Sequence, residues 1–204
     1  MPSVSSPRVV VAAVVLGAAL LGPGEIAVAG ASASAGRAAA SPPSTVAAAR
    51  ITRRPGTLAP GTGVRAADIF GHRVFTDAGH GFALASVGDA DYPVASVEGG
   101  RTWKTDGPAL HLHAAQAPLA VVYIDAVNAK TVFAWGGGQV IDATGDGGKN
   151  WYRALFTDGG PLGVVPRIGG GLAAFVGSSN GATIWQYVSK DSGRTWHYRT
   201  TVGQ

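Results

Sequence analysis

The sequence predicts an all-β fold: about three four-stranded sheets arrayed like the blades of an incomplete or open propeller. Three observations carry that expectation. An eight-residue pattern returns as Ser96-Val-Glu-Gly-Gly-Arg-Thr-Trp103, Thr144-Gly-Asp-Gly-Gly-Lys-Asn-Trp151 and Ser189-Lys-Asp-Ser-Gly-Arg-Thr-Trp196. Its tryptophans are 48 and then 45 residues apart, a period that suits one four-stranded propeller blade. Between the patterns, short β-branched and aromatic runs alternate with Gly- and Asn-bearing turns, and no useful amphipathic helical period occurs past the N-terminal segment.

Residues 1–29 read as an export signal. Arg8 supplies a short positive region, Val9 to Leu21 is an apolar run, and Pro23-Gly24 breaks it. Small residues at Ala27-Val28-Ala29 and Ala31-Ser32-Ala33 place cleavage between 29 and 35. The run is shorter than the roughly 20 residues of an ordinary membrane span. No Arg-Arg pair precedes it, which favours general secretion over twin-Arg export. The expected location is therefore secreted, or extracytoplasmic.

Residues 30–62 are rich in Ala, Ser, Pro and Gly, and read as a disordered linker that buries too little surface to offset its ordering entropy. Arg50, Arg53 and Arg54 give it a small basic cluster that could make a loose envelope association, although a solvated linker is favoured. The chain has no cysteine, so neither a disulfide nor a lipid-modified cysteine supports it. The formal charge of +4 is modest, and no basic stripe with interleaved aromatics suggests nucleic acid.

Residues 63–204 form the folded domain, with blades over about 70–115, 116–160 and 161–204. Blade one opens with Val74 to Ser86 around a turn at Asp77 to Gly81. Blade two opens with Val121 to Asp125, a turn at Asn128 to Lys130, and Thr131 to Trp135. Blade three opens with Val164 to Arg167, the Gly169-Gly-Gly171 turn, and Leu172 to Val176. A third strand leads into each pattern, over about 92–97, 139–144 and 182–189, and a fourth leaves from its tryptophan.

The composition of the pattern has a physical reading. Asp146 and Asp191 sit where a carboxylate accepts backbone N–H bonds across a tight turn. Gly100, Gly148 and Gly193 permit a positive φ. Ser96, Thr144 and Ser189 offer a hydroxyl to the same turn, and Trp103, Trp151 and Trp196 supply large apolar faces for packing between sheets. Thr102 and Thr195 occupy the seventh position. Glu98 replaces Asp in the first pattern, where its extra methylene weakens the expected turn bond, and Asn150 replaces Thr in the second.

The pattern resembles the Asp-box, or BNR repeat, of sialidases, sortilin-type receptors and photosystem II assembly-factor-like propellers. The phrase Phe75-Thr-Asp-Ala-Gly-His-Gly-Phe-Ala-Leu84 looks most like the last group. The resemblance implies structural hairpins between third and fourth strands, away from the binding face. It also implies that the first strand of each blade lines a central channel, which nominates Tyr123, Asp125 and Arg167 as binding candidates beside the plainer reading of local turn contacts. Trp135 and Trp185 could stack on sugars, though a strand tryptophan is more often core.

A sialidase-like site would need three convergent arginines, a Tyr–Glu pair and an acid/base carboxylate. Beyond the export signal the only Glu is Glu98, inside the first pattern. No catalytic residue is therefore assigned, and any activity would be that of a sialidase-like glycoside hydrolase. His111 and His113 share one face of a short strand, but no third ligand is suggested nearby, so they read as a surface pair with no metal and no cofactor.

The leading reading is a secreted, non-catalytic propeller-like binding or scaffold protein, with an unknown protein or glycan as partner and no nucleic acid. The alternative is a sialidase-related glycan-binding or exo-glycosidase protein. Three blades are fewer than a closed ring requires. A homodimer could complete six, and a monomeric open arc with uncovered end faces is the other solution.

Overall fold

The computed structural model describes residues 41–115 and 117–203, so the expected signal peptide, its cleavage region and the linker up to residue 40 lie outside the described residues. In chain order the strands begin with three short pieces: β1 (Thr45–Ala47), β2 (Ala49–Arg50) and β3 (Gly63–Val64). The first repeat holds β4 (Ile69–Phe75), β5 (Gly81–Val87), β6 (Ala90–Ser96), β7 (Trp103–Thr105) and β8 (His111–Leu112). The second holds β9 (Tyr123–Ala126), β10 (Val132–Trp135), β11 (Val140–Thr144) and β12 (Tyr152–Leu155). The third holds β13 (Gly159–Pro166), β14 (Leu172–Ser178), β15 (Ile184–Ser189) and β16 (Thr195–Gly203). Only short 3₁₀ turns, at Ala66–Asp68 and Ala117–Leu119, interrupt the strands among the described residues.

Each repeat folds as an antiparallel meander, so the chain is all-β with three separate sheets. Their orders are β3-β7-β6-β5-β4, β2-β12-β11-β10-β9 and β1-β16-β15-β14-β13. The four strands expected per repeat are present, and each sheet gains one more at its far edge.

That extra strand corrects the linker reading. Within the segment assigned to a disordered tether, β1 pairs with β16 of the third repeat and β2 with β12 of the second. Just beyond it, β3 pairs with β7 of the first. The segment thus runs along the outer edges of sheets three, two and one in turn. Its composition is poor in large side chains, but edge pairing needs backbone N–H and C=O groups, which any non-proline residue supplies. Val46, opposite Trp196, is the residue that also enters the core.

Two apolar layers join the sheets. Phe82, Leu84 and Leu110 of the first repeat pack with Ile124, Val132, Val140 and Trp151 of the second. Phe133, Ile141 and Phe156 of the second pack with Leu172, Val176, Tyr187 and Trp196 of the third. A third layer lies on the remaining face of sheet one. There Ala83, Ala85, Tyr92, Val94 and Trp103 are buried, with Leu58 and Val64 packed against them. The expectation of an uncovered face on the first blade is therefore corrected: the segment before β4 lies on it, and the backbone N–H of Leu58 donates to the Tyr92 hydroxyl at 3.1 Å.

The fourth strand of sheet one is broken. β7 pairs with Val94 and Ala95 of β6, while β8 pairs with Ala90 and Asp91. Pro93 lies between those stretches and has no N–H to give to a neighbour, so the ladder interrupts there. Residues 106–110 loop out of the gap towards the second repeat.

Candidate functional site

The three repeated hairpins share one hydrogen-bond plan. The hydroxyl at the first position accepts the N–H of the fifth: Ser96 from Gly100 at 2.9 Å, Thr144 from Gly148 at 3.1 Å, and Ser189 from Gly193 at 2.9 Å. The carboxylates of Asp146 and Asp191 each accept the N–H of the seventh residue, Asn150 and Thr195, at 2.9 Å. Glu98 instead takes the Thr102 hydroxyl at 2.9 Å, as its extra methylene leads one to expect. Residues four and five of every hairpin have positive φ, including Ser192 at 58°. Burial pushes the Asp146 carboxyl up, but the bonds from Asn150 and Thr144 outweigh it and leave it below the ordinary carboxylate value.

Of the sequence-nominated binding residues, Tyr123 and Asp125 lie two residues apart on β9, and among the described residues no side-chain hydrogen bond or ion pair joins either to Arg167. Tyr123 is half exposed and stacks near Trp135, at 5.7 Å between ring centres. Asp125 accepts the neighbouring N–H of Ala126 at 2.7 Å, a local contact. Arg167 lies exposed in the turn after β13, with no side-chain hydrogen bond joining it to the other two among the described residues. Trp185 is buried core.

The constellation that does form surrounds the looped-out residues after β7. A cleft of about 400 Å³ opens between the N-terminal strands, residues 109–112 and β12, lined by Arg50, Ile51, Arg54, Leu110, His111 and Arg153 among others. No carboxylate lines it. Beneath it, Arg153 grips the fully buried Asp142 through two bonds, 2.8 and 2.6 Å, and also donates to the Leu110 carbonyl. Burial pushes the Asp142 carboxyl up, opposed by the Arg153 fork and by His111. Arg153 is thus committed inward. Arg50 and Arg54 are exposed at the rim, and among the described residues neither guanidinium has a hydrogen-bond partner.

Alongside the cleft, Asp91 bridges two imidazoles. Its Oδ2 lies 3.1 Å from His111 Nδ1 and its Oδ1 lies 3.0 Å from His113 Nε2. The reading of His111 and His113 as a pair without a third ligand is therefore corrected: pairing of β6 with β8 sets Asp91 directly across from His111. Hydrogen bonding to Asp91 holds the His113 imidazole above its ordinary pKa, and the charges of Asp91 and Asp89 add to this. Sequence reasoning missed Asp91, Asp142 and Arg153. Asp91 meets His111 through the register of a fourth strand broken at Pro93, which no motif spacing encodes, and Asp142 meets Arg153 as its cross-strand partner in the β11–β12 pair.

Chemically, the cleft can hold an anion against apolar walls, and the Asp–His–His group can hold a metal. No family model matches this sequence, and no curated protein does either. Among solved structures, "YCF48 bound to D1 peptide" is similar to this chain at a TM-score of 0.42 and 18% identity, covering 76% of this chain and 46% of that one. The chain thus spans a little under half of that structure's length.

Proposed function

We propose that this chain is an exported, non-catalytic binding or scaffold protein whose ligand is a polypeptide segment with a carboxylate beside apolar side chains. The observation that carries this reading is the cleft with two unpaired guanidiniums, Arg50 and Arg54, over Ile51, Leu110, Leu112 and Leu155. A planar fork pairs well with a carboxylate, and the apolar walls supply the remaining affinity. Among the described residues no carboxylate lines the cleft, and its imidazole, His111, is bonded to Asp91. The shared hydroxyl-to-N–H plan supports reading the three hairpins as structural Asp-boxes, which rigidify the sheets that frame the cleft. Export rests on the N-terminal sequence, and the mass of the mature N terminus tests it.

Three arginines around one cleft favour a second reading, a sialidase-related glycan site. Against it, Arg153 is taken up by Asp142 and the Leu110 carbonyl.

The test is fluorescence anisotropy with a labelled acidic, leucine-bearing peptide, its amidated neutral form, and sialyllactose as competitor. Binding of the acidic peptide should weaken by at least about tenfold, ~1.4 kcal/mol, in the Arg50→Ala/Arg54→Ala double variant. Equal binding of the neutral peptide, or displacement by sialyllactose, would overturn the peptide reading.

A further inference from the structure

We propose that Asp91, His111 and His113 form a binding site for one divalent transition-metal ion of the zinc class. Each residue offers one donor atom, and the three atoms lie within 4.8 Å of one another. Among the described residues this is the only such group of three.

The backbone holds the donors in place. Asp91 and His111 are cross-strand partners in the β6–β8 pair. The N–H of Leu110 donates to the Asp91 carbonyl at 2.8 Å, and the N–H of His113 donates to the Asp89 carbonyl at 2.9 Å. The residues on either side of His111 and at His113 are thus tied to the strand that carries Asp91. Two imidazoles two residues apart therefore meet one carboxylate without any long loop to order.

The spacing suits tetrahedral coordination. With zinc–ligand bonds of about 2.0–2.1 Å, neighbouring donors in a tetrahedron stand about 3.3 Å apart. His111 Nδ1 stands 3.1 Å from Asp91 Oδ2 and His113 Nε2 stands 3.0 Å from the other oxygen, Oδ1, so each imidazole already lies near that edge from one oxygen, and a small turn of the carboxylate, or its bidentate use, serves both. The remaining histidine–histidine edge must close on the ion. His113 can make that adjustment, since 42% of its side chain is exposed, whereas His111 and Asp91 are each only 12% exposed. The exposed side of His113 is also the entry path and leaves a fourth position open to water.

The donor chemistry selects the class of ion. Two imidazoles and one carboxylate suit Zn²⁺ and its first-row neighbours, whereas Ca²⁺ and Mg²⁺ prefer all-oxygen sets. The surroundings also fit. Ser86 Oγ lies 3.3 Å from His113 Nε2, where it can orient a metal-bound water. His111 Nε2 is buried without a partner.

Two other histidines serve as internal controls. His80 is paired with Asp77 alone, at 2.8 Å, and His197 contacts Thr45 at 3.3 Å. Neither belongs to a group of three.

The experiment titrates the untagged full chain with Zn²⁺ alone, in competition with a chromophoric chelator, and repeats the titration with Co²⁺ to read coordination from its visible absorption. One equivalent of Zn²⁺ should bind, with a four- or five-coordinate Co²⁺ spectrum free of thiolate bands. His113→Ala, at an exposed side chain, should keep the melting temperature of the metal-free chain and weaken Zn²⁺ binding by about 100-fold or more, since loss of a mere supporting residue already costs 10–100-fold. His111→Ala should weaken Zn²⁺ binding to a similar degree, and His80→Ala should bind as the parent does. The proposal is overturned if the parent chain takes up no Zn²⁺, if His113→Ala and His111→Ala bind it unchanged, or if His80→Ala loses it equally.

Discussion

The indole N–H of Trp151 donates to the backbone carbonyl of Asp106, 2.6 Å away and in the preceding repeat. Trp103 and Trp196 instead donate to glycine carbonyls of their own hairpins, at 3.0 and 3.1 Å. One member of a repeated motif has thus been turned into a tie between two sheets. Gly107 makes room for it, since a Cβ there would overlap the Trp151 ring. Trp151→Phe removes the donor together with part of the buried indole, leaving the Asp106 carbonyl without this partner and a small void beside it. It should cost about 1–3 kcal/mol in urea unfolding. A variant as stable as the parent would mean the bond contributes nothing to joining the sheets.

The carboxyl of the same Asp106 gives a pH signature. Burial and the nearby Asp146 charge push it up to about 7, from an ordinary value of 3.8, and one of its oxygens is buried without a partner. The folded chain therefore holds this proton more tightly than the unfolded chain. Its contribution to stability is complete below about pH 3.8 and is lost as pH rises through about 7. Asp106→Asn should remove that loss, with a gain of a few kcal/mol at pH 8 and little change near pH 4. Chemical melts across this range check it, and a parallel shift at both pH values would assign the effect to packing instead.

Val46 tests the N-terminal strands. It is buried opposite Trp196 in the layer between sheets two and three. Val46→Asp places an unpaired carboxylate there and should lower stability by several kcal/mol, read as a fall in melting temperature. Deleting residues 1–50 should in addition bare the edges of β12 and β16, and so raise the solution mass measured by light scattering. If the shortened chain melts and elutes as the parent does, those strands are ornaments of the fold.

Tyr187 predicts a change of the opposite sign. Its hydroxyl is buried with no partner, and burial, first of all, pushes its pKa up to about 12. The ring itself packs edge-on against Phe156 at 5.1 Å. Tyr187→Phe keeps that contact and removes a polar atom that lost its water on folding. The variant should be as stable as the parent or more stable by about 1–3 kcal/mol. A clear loss of stability would reveal a hydrogen bond to the hydroxyl in solution.

The repeat architecture was legible because it is local. Ser189, Asp191, Gly193 and Trp196 lie within eight residues, and their bonds close within the same hairpin, so composition alone indicates the turn. The candidate site was not legible, for the same reason in reverse. Asp91 meets His111 only through the β6–β8 register, and Arg50 reaches the cleft only because β2 joins the edge of β12. The tether reading failed at residues 45–62 because it weighed side-chain burial, and edge strands are held chiefly by their backbones. Tyr123, Asp125 and Arg167 were chosen by analogy to channel-lining strands, and each is satisfied or exposed on its own rather than joined to the others.

The pairing of Thr45 with His197 spans 152 residues. During synthesis β1, the first strand among the described residues, therefore emerges long before its partner exists. Each of the three meanders can fold from contacts between neighbours in sequence, one after another as the chain emerges. Of the leading segment, β1 must stay unpaired through all of this and can settle only when β16 is released, whereas β3 and β2 can pair with β7 and β12 as those strands form. Closing so long a loop is slow relative to local hairpin formation. The last edge to be closed is thus that of β16, by β1, and a chain halted before its C terminus lacks the strand that β1 needs.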